Sequence, residues 1–301
     1  MTLILEHYSK TGNHSVNCAA MTSPAAASRA LSLAQLVALT LPPPAMVRLA
    51  AGAGCQAAGL RLAPTAPGGP FHALVTDDAL RRETRAALAD TGVAVLDIEV
   101  VRLGAAFDAA ELAPLLATSA ELGARHLLVA GDDPDEARLT ASFAVLCEAA
   151  AAHGLTAELE FMPWTAVPDL GTAARIVERA AHPAGGVLID ALHFGRSAST
   201  RAQVAALPRH RLRYAQICDG AVPPPATVEG LIHDARRERL LPGDGGIDLV
   251  GLFAALPADL PVAVEVPSES RLAALGAEAW AALAVAAARR VLALADEARH
   301  G

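Results

Sequence analysis

Aromatic side chains are scarce in this chain: Phe, Tyr and Trp make up 3% of its 301 residues. Any core must therefore be packed from small aliphatic side chains, and Ala, Leu and Val dominate the composition. Long apolar runs are also missing. The nearest, the Ala-rich stretch 272–293, is interrupted by Glu278, Arg289 and Arg290, so it falls short of the roughly 18 uncharged apolar residues of a membrane span. Basic residues are in deficit, 24 Lys and Arg against 32 Asp and Glu, for a formal net charge of -8. That balance argues against a nucleic-acid backbone as main partner, because such binding draws on clustered Lys and Arg. The four cysteines, Cys18, Cys55, Cys147 and Cys218, show no CxxC or zinc-ribbon spacing and read as reduced, buried thiols of a cytoplasmic protein. Met1 to Ala20 lack the basic-then-apolar layout of a signal peptide. Residues 1–30 are expected to be a disordered extension or an early start, ahead of one folded domain over 31–301.

What the chain does have is regular alternation. Apolar runs of strand length are expected at 31–39, 57–62, 93–101, 125–130, 155–161, 186–190, 212–218 and 261–266. Segments with helix patterning separate most of them, including 42–51, 77–90, 108–122, 135–152, 170–181, 200–206 and 248–256, and a final helix spans 272–298. Pro42, Pro43 and Pro44 stand where a helix start tolerates a missing N–H. Asp77 and Asp78 are good caps, and Gly92 is a stop. Eight strand–helix units at near-regular spacing predict parallel pairing through right-handed crossovers and closure as a single (β/α)8 TIM barrel. A doubly wound open sheet is the competitor. The stretches 64–76 and 220–246 read as loops, and Gly243-Asp-Gly-Gly246 lacks the spacing of a dinucleotide fingerprint.

Four of the late strands deliver a polar residue to their carboxyl ends, where such a barrel builds its active site. They are Glu160, Asp190 with His193 just beyond, Gln216 and Glu265. Alternation along a strand places Glu160 opposite Leu159 and Phe161, Asp190 opposite Val187 and Ile189, and Glu265 opposite Val264. If the apolar partners face the helices, three carboxylates converge with the Gln216 carbonyl in the barrel mouth. A lone strand-end acid usually caps a helix or pairs with Arg; four convergent ones form an oxygen-rich set suited to one divalent cation such as Mn, Mg or Co(II).

In order and spacing, Glu-Phe-Met-Pro-Trp at 160–164, Asp-Ala-Leu-His at 190–193, Tyr-Ala-Gln-Ile-Cys-Asp at 214–219, Leu-Pro-Gly-Asp-Gly at 241–245 and Val-Glu-Val-Pro at 264–267 resemble the xylose-isomerase-like TIM barrels. These include sugar and sugar phosphate isomerases and epimerases. The resemblance implies a metal held by Glu160, Asp190, Gln216 and Glu265, with zinc among the ions it admits, and a homodimer. It implies Glu160 and Glu265 as catalytic proton carriers across the substrate, with His193 on a substrate hydroxyl. Gln216 departs from the usual His, and with a His three residues after the Asp it also resembles the 3-dehydroshikimate dehydratases, in which His193 would act as base. The substrate would be a sugar, or a cyclic polyol or keto acid. Arg61, Glu99, Trp164 and Asp219 are further substrate-binding candidates: Arg61 for a phosphate or carboxylate or for an ion pair with Glu99, Trp164 for stacking, and Asp219 for orienting the metal site. His72 and Arg236 are loop residues that could serve as lids or stay solvated. An abasic-site nuclease of the endonuclease IV type shares the architecture but needs His ligands on the early strands, which end here in Arg61, Glu99, Asp132 and Asp133. A sugar-binding barrel without metal is the non-catalytic alternative.

Overall fold

A computed structural model describes residues 29–64 and 68–299. The extension expected over residues 1–28, with Cys18, lies outside the described residues. Eight parallel strands close into a barrel in sequence order: β1 Leu31–Leu33, β2 Ala57–Arg61, β3 Ala94–Leu103, β4 His126–Gly131, β5 Thr156–Glu160, β6 Gly185–Asp190, β7 Ala215–Ile217 and β8 Val262–Val264. Ser32 pairs with Ala263 to close the ring. The expected single barrel is what forms.

Among the described residues eleven α-helices connect or flank the strands. They are α1 Pro43–Gly52, α2 Asp78–Thr91, α3 Ala113–Glu121, α4 Glu136–Ala151, α5 Leu170–Ala180, α6 Ala191–Gly195, α7 Arg201–Ala206, α8 Val228–Arg237, α9 Leu249–Ala255, α10 Glu269–Leu275 and α11 Ala277–Glu297. Local chemistry explains their starts. Asp77, Asp135, Asp169, Thr227 and Asp248 each accept a backbone N–H of the first turn, satisfying donors that the helix itself leaves unpaired.

Two apolar layers follow from strand alternation. Leu159, Phe161, Val187, Ile189, Val262 and Val264 belong to the large core between strands and helices. Leu96, Leu128, Met162, Leu188, Tyr214 and Ala263 form a smaller cluster inside the barrel. Each large apolar side chain buried in these layers contributes on the order of 1.5–3 kcal/mol. The residues alternating with the outer layer face inward, as the strand parity requires for Glu160, Asp190 and Gln216.

Three elements differ from the sequence reading. The first strand stops at Leu33, and Gln35–Ala38 form a 3-10 turn in which the buried Gln35 amide donates to the Leu41 carbonyl at 3.0 Å. An uninterrupted apolar run does not distinguish a strand from a buried turn. The final helix is broken at Gly276, whose φ of 79° lies in the left-handed region that favours glycine; α10 ends there and α11 begins. The stretch 220–246 is not all loop, because α8 lies within it. Three prolines and dense charge hid its pattern. Arg236 is therefore held on a helix at the barrel mouth.

Candidate functional site

The strand ends place the acids by register. Asp190, the last residue of β6, pairs with Gln216 of β7, and Gln216 pairs with Ala263 of β8, two residues before Glu265. Glu160 closes β5 beside Ala130 of β4 and Leu188 of β6. Asp190 doubles as the cap of α6, accepting the His193 N–H at 3.0 Å, and this swings His193 back over the strand ends. All five side chains are buried: Glu160 is 5% exposed, Glu265 3%, His193 2%, Asp190 and Gln216 0%. Ligating atoms of Glu160, Asp190 and His193 lie within 4.8 Å of one another.

Sequence reasoning missed the residue that organises this centre. Beyond α8 the chain returns through short antiparallel bridges, Asp219 with Leu240 and Glu238 with Ser268, which plant Arg239 over β7 and β8. Its guanidinium donates to Asp190 Oδ2 at 2.6 Å, pairs with Glu265 Oε2 at 2.8 Å and reaches Cys218 Sγ at 3.2 Å. Its Nε donates to the Ala235 carbonyl at 2.8 Å. Arg239 stands in a stretch dense with charge, and the only signal of its burial is the Leu240-Leu241 that follows.

At the floor three buried acids, Glu160, Asp190 and Glu265, share one space with the Arg239 guanidinium. Burial, then repulsion from Asp190 and Glu265, pushes the Glu160 carboxyl well above its ordinary range. Burial raises Glu265 to about 8 despite Arg239, with Glu99 and Asp190 adding to the rise. Asp190 is held below its usual value because Arg239, the His193 imidazole and the His193 N–H together outweigh its burial. Burial lowers His193 to about 4, against the pull of Asp190, so its imidazole is neutral near pH 7 and can accept a proton.

The donor set fits a divalent cation. Both amide atoms of Gln216 and the Nδ1 of His193 are buried without a partner, a condition that native interiors rarely leave unmet. Among the described residues Glu160, Asp190 and His193 group their ligating atoms, a mixed oxygen and nitrogen set suited to a divalent cation; the expected ligand Glu265 stands outside that group and is paired with Arg239.

The remaining predicted residues divide. Trp164 sets its ring edgewise to His193, centroids 5.1 Å apart at 79°. Glu160 Oε1 is 3.9 Å from His193 Nε2. Arg61 and Glu99 form a buried ion pair of 2.6 Å. Asp219 faces a loop: its carboxylate accepts the N–H groups of Gly220, Gly243, Gly245 and Ile247 at 2.8–3.2 Å. A Cβ on Gly245 would lie 2.3 Å from Asp219 Oδ1, so only glycine permits this approach. His72 is tied through Nε2 to the Leu39 carbonyl at 3.1 Å. Glu160, Glu265, His193, Trp164 and Arg61 line one cavity of about 250 Å³ at the barrel mouth.

Residues 47–291 match the model of the xylose isomerase-like TIM barrel family. No curated protein matches the chain in sequence. Among solved structures, a xylose isomerase-like TIM barrel/4-hydroxyphenylpyruvate dioxygenase fusion protein superposes with a TM-score of 0.72 at 21% identity, over 91% of this chain and 45% of that one. The chain thus spans less than half of that fusion. An IolI protein with a bound zinc atom gives 0.72 at 18% identity, over 88% of this chain and 98% of that one. The D-allulose 3-epimerase of Methylomonas sp., in complex with D-allulose, gives 0.61 at 16% identity, over 87% and 97%. At these identities the likeness is one of fold.

Proposed function

The chain belongs to the xylose isomerase-like TIM barrel family, and we propose that it is an isomerase or epimerase of sugars or sugar phosphates that uses one divalent cation to move a proton beside a carbonyl. The observation carrying this reading is the buried cluster of Glu160, Asp190 and His193, whose ligating atoms lie within 4.8 Å of one another. Glu160, Asp190, Gln216 and Glu265 would hold the cation. When bound, it supplies a Lewis acid for a carbonyl and neighbouring hydroxyl. Oxygen donors favour Mg, Mn or Co(II), and the zinc-bearing IolI neighbour supports zinc as well.

The side chains do the rest. Glu160 has no side-chain hydrogen bond among the described residues, and in its ionised form, which a neighbouring positive charge favours, it would take a proton from a substrate carbon. Glu265 faces it from the other side of the floor and would return one. Neutral His193 would bind a substrate hydroxyl, and Trp164 would flank the sugar while keeping water from the imidazole. The epimerase neighbour holding D-allulose supports this class of chemistry.

One contact favours a second reading. Arg239 holds Glu265 at 2.8 Å, which engages one of the two proton carriers that epimerisation needs. Elimination needs only one: His193 would remove a proton beside a carbonyl of 3-dehydroshikimate or a similar cyclic acid, and the β-hydroxyl would leave as water. Metal analysis of protein purified without chelator tests the shared site. Less than near-stoichiometric metal, or unchanged content in Glu265→Ala, would sink it. Incubation with 3-dehydroshikimate, followed for the aromatic catechol acid, separates elimination from epimerisation of a ketose panel in deuterated water.

A further inference from the structure

The cavity carries more positive charge than the proposed proton transfer uses. Arg61, Arg102, Arg236, Arg237 and Arg239 all line it. Arg239 is committed to the floor, and Arg237 pairs with Glu269 at the surface, 3.1 Å apart. The other three form a separate group. Arg61, at the end of β2, is 4% exposed; Glu99 takes its Nη2 at 2.6 Å, while its Nε is buried without a partner. Arg102, near the end of β3, is oriented by Asp132, which accepts its Nε at 2.6 Å. Arg236 comes over the mouth from α8 and, among the described residues, has neither an ion pair nor a hydrogen bond. Arg236 is exposed, and its guanidinium is disfavoured by partial desolvation first and then by the fields of Arg102 and Arg61, which Asp132 offsets in part.

Three guanidinium groups with two carboxylates leave one positive charge unmatched on the wall of β2 and β3. In a closed ring of eight strands that wall lies across from β6 and β7, which carry Asp190 and Gln216. The cavity therefore has two sides: a floor of acids towards the late strands and a positive wall towards the early ones.

We propose that Arg61, Arg102 and Arg236 bind an anionic substituent of the substrate, a carboxylate or a phosphate, so that the molecule turned over is a sugar phosphate, sugar acid or cyclic keto acid and not a neutral ketose. This rests on the reading of the cavity as the substrate site. A planar guanidinium fixed by a carboxylate on one edge keeps its other N–H groups aimed, which suits carboxylate and phosphate oxygens. The anion would anchor one end of the substrate on the early strands and present the carbonyl end to Glu160 and His193.

Calorimetric titration of the full-length, metal-replete protein tests this, with inorganic phosphate, cyclohexanecarboxylate and neutral cyclohexylmethanol as probes and metal content measured on the same samples. At least one anion is expected to bind, with the neutral alcohol about tenfold weaker or more. Arg236→Gln and Arg102→Gln should each weaken the anion by about tenfold or more, as expected for one charge-assisted hydrogen bond. Arg236→Gln should do so with unchanged melting temperature, since Arg236 holds no other group. Tighter phosphate assigns a phosphate ester; tighter cyclohexanecarboxylate assigns a carboxylic acid. Anion binding that survives Arg236→Gln, or a neutral alcohol that binds as well as the anions, overturns the proposal. Arginine-dependent anion binding in protein devoid of metal would leave this inference standing and sink the metal site, so the two failures are distinct.

Discussion

Glu158 and Glu160 sit two residues apart on β5, point to the same side of the strand and are both buried, yet they live in opposite circumstances. Glu158, towards the amino end of the barrel, accepts from Thr156 Oγ1 at 2.7 Å and from Arg213 Nη1 at 3.2 and 3.3 Å. Burial still raises it, to about 7, with Arg213 as the main opposing influence. Glu160, towards the carboxyl end, has no such partner among the described residues, and burial with Asp190 and Glu265 close by pushes its carboxyl up. A buried acid that is satisfied by its surroundings builds structure. One that the surroundings leave in deficit is poised for a cation, a proton or a substrate. The same barrel thus uses one residue type for two purposes, separated by depth along the strand.

The sharpest way to break that contrast is to neutralise each acid in turn. Glu160→Gln is expected to lower kcat by about 10²–10⁴-fold, the usual worth of a positioned proton-transfer group, and to lose bound metal while the melting temperature holds or rises. Glu158→Gln should keep kcat and cost about 1–3 kcal/mol of unfolding free energy, since it leaves the half-buried Arg213 short of a charged partner. Denaturant unfolding and steady-state kinetics on both variants measure the two effects, and equal kinetic losses would erase the distinction.

Arg239 is the next largest lever, because it pairs with two acids of the floor at once. Arg239→Met strips Asp190 and Glu265 of their shared partner. Breaking a buried pair in this way costs about 3–5 kcal/mol. A divalent cation added to the variant should restore more of the melting temperature than it adds to the wild type, as linkage requires when the folded state gains affinity. Equal shifts in both proteins would mean that Arg239 does not share its carboxylates with the ion.

The barrel was legible in the sequence because its signals are local and repeated: strand-length apolar runs, caps such as Asp77 and regular spacing. The inward direction of Glu160, Asp190 and Gln216 followed from the two-residue period of a strand. Arg239 was not legible, since its place depends on the bridges that bring residue 239 beside Pro267, where its N–H meets the carbonyl at 2.8 Å. The surplus charge at Arg236 was hidden for a related reason: an arginine in a polar stretch reads as solvated until the helix carrying it is seen over a cavity. The difference between Glu158 and Glu160 was equally out of reach, because partners distant in sequence, Arg213 just before β7 and His193 of α6, decide it.

His126 offers a smaller effect at the satisfied end of the barrel. Its Nδ1 lies 2.7 Å from Thr156 Oγ1, its ring stacks on Tyr214 with centroids 5.3 Å apart, and burial first, then Arg213 and Arg125, lower its pKa from 6.5 to about 3. The folded protein thus resists a proton that the unfolded chain accepts. The stabilising contribution is complete above pH 6.5 and is lost as the pH falls from there towards 3. Between pH 6.5 and about 4.5 the loss amounts to about 2 kcal/mol. His126→Gln should flatten that part of the curve, so the stability difference between wild type and variant shrinks as the pH falls. A difference independent of pH would show that His126 already carries its proton in the fold.

Asp219 should give the smallest change and the most local one. Its two oxygens gather four backbone N–H groups from a loop that leads from the barrel to α9. An asparagine keeps one acceptor oxygen and turns the other position into a donor that faces N–H groups. Asp219→Asn is therefore expected to cost about 1–2 kcal/mol and to speed amide exchange at Gly243, Gly245 and Ile247, while metal content stays as in the wild type. If exchange at those amides is unchanged and KM rises instead, the carboxylate acts on the substrate, and the division between bracing acids and reactive acids must be redrawn to place Asp219 with Glu160.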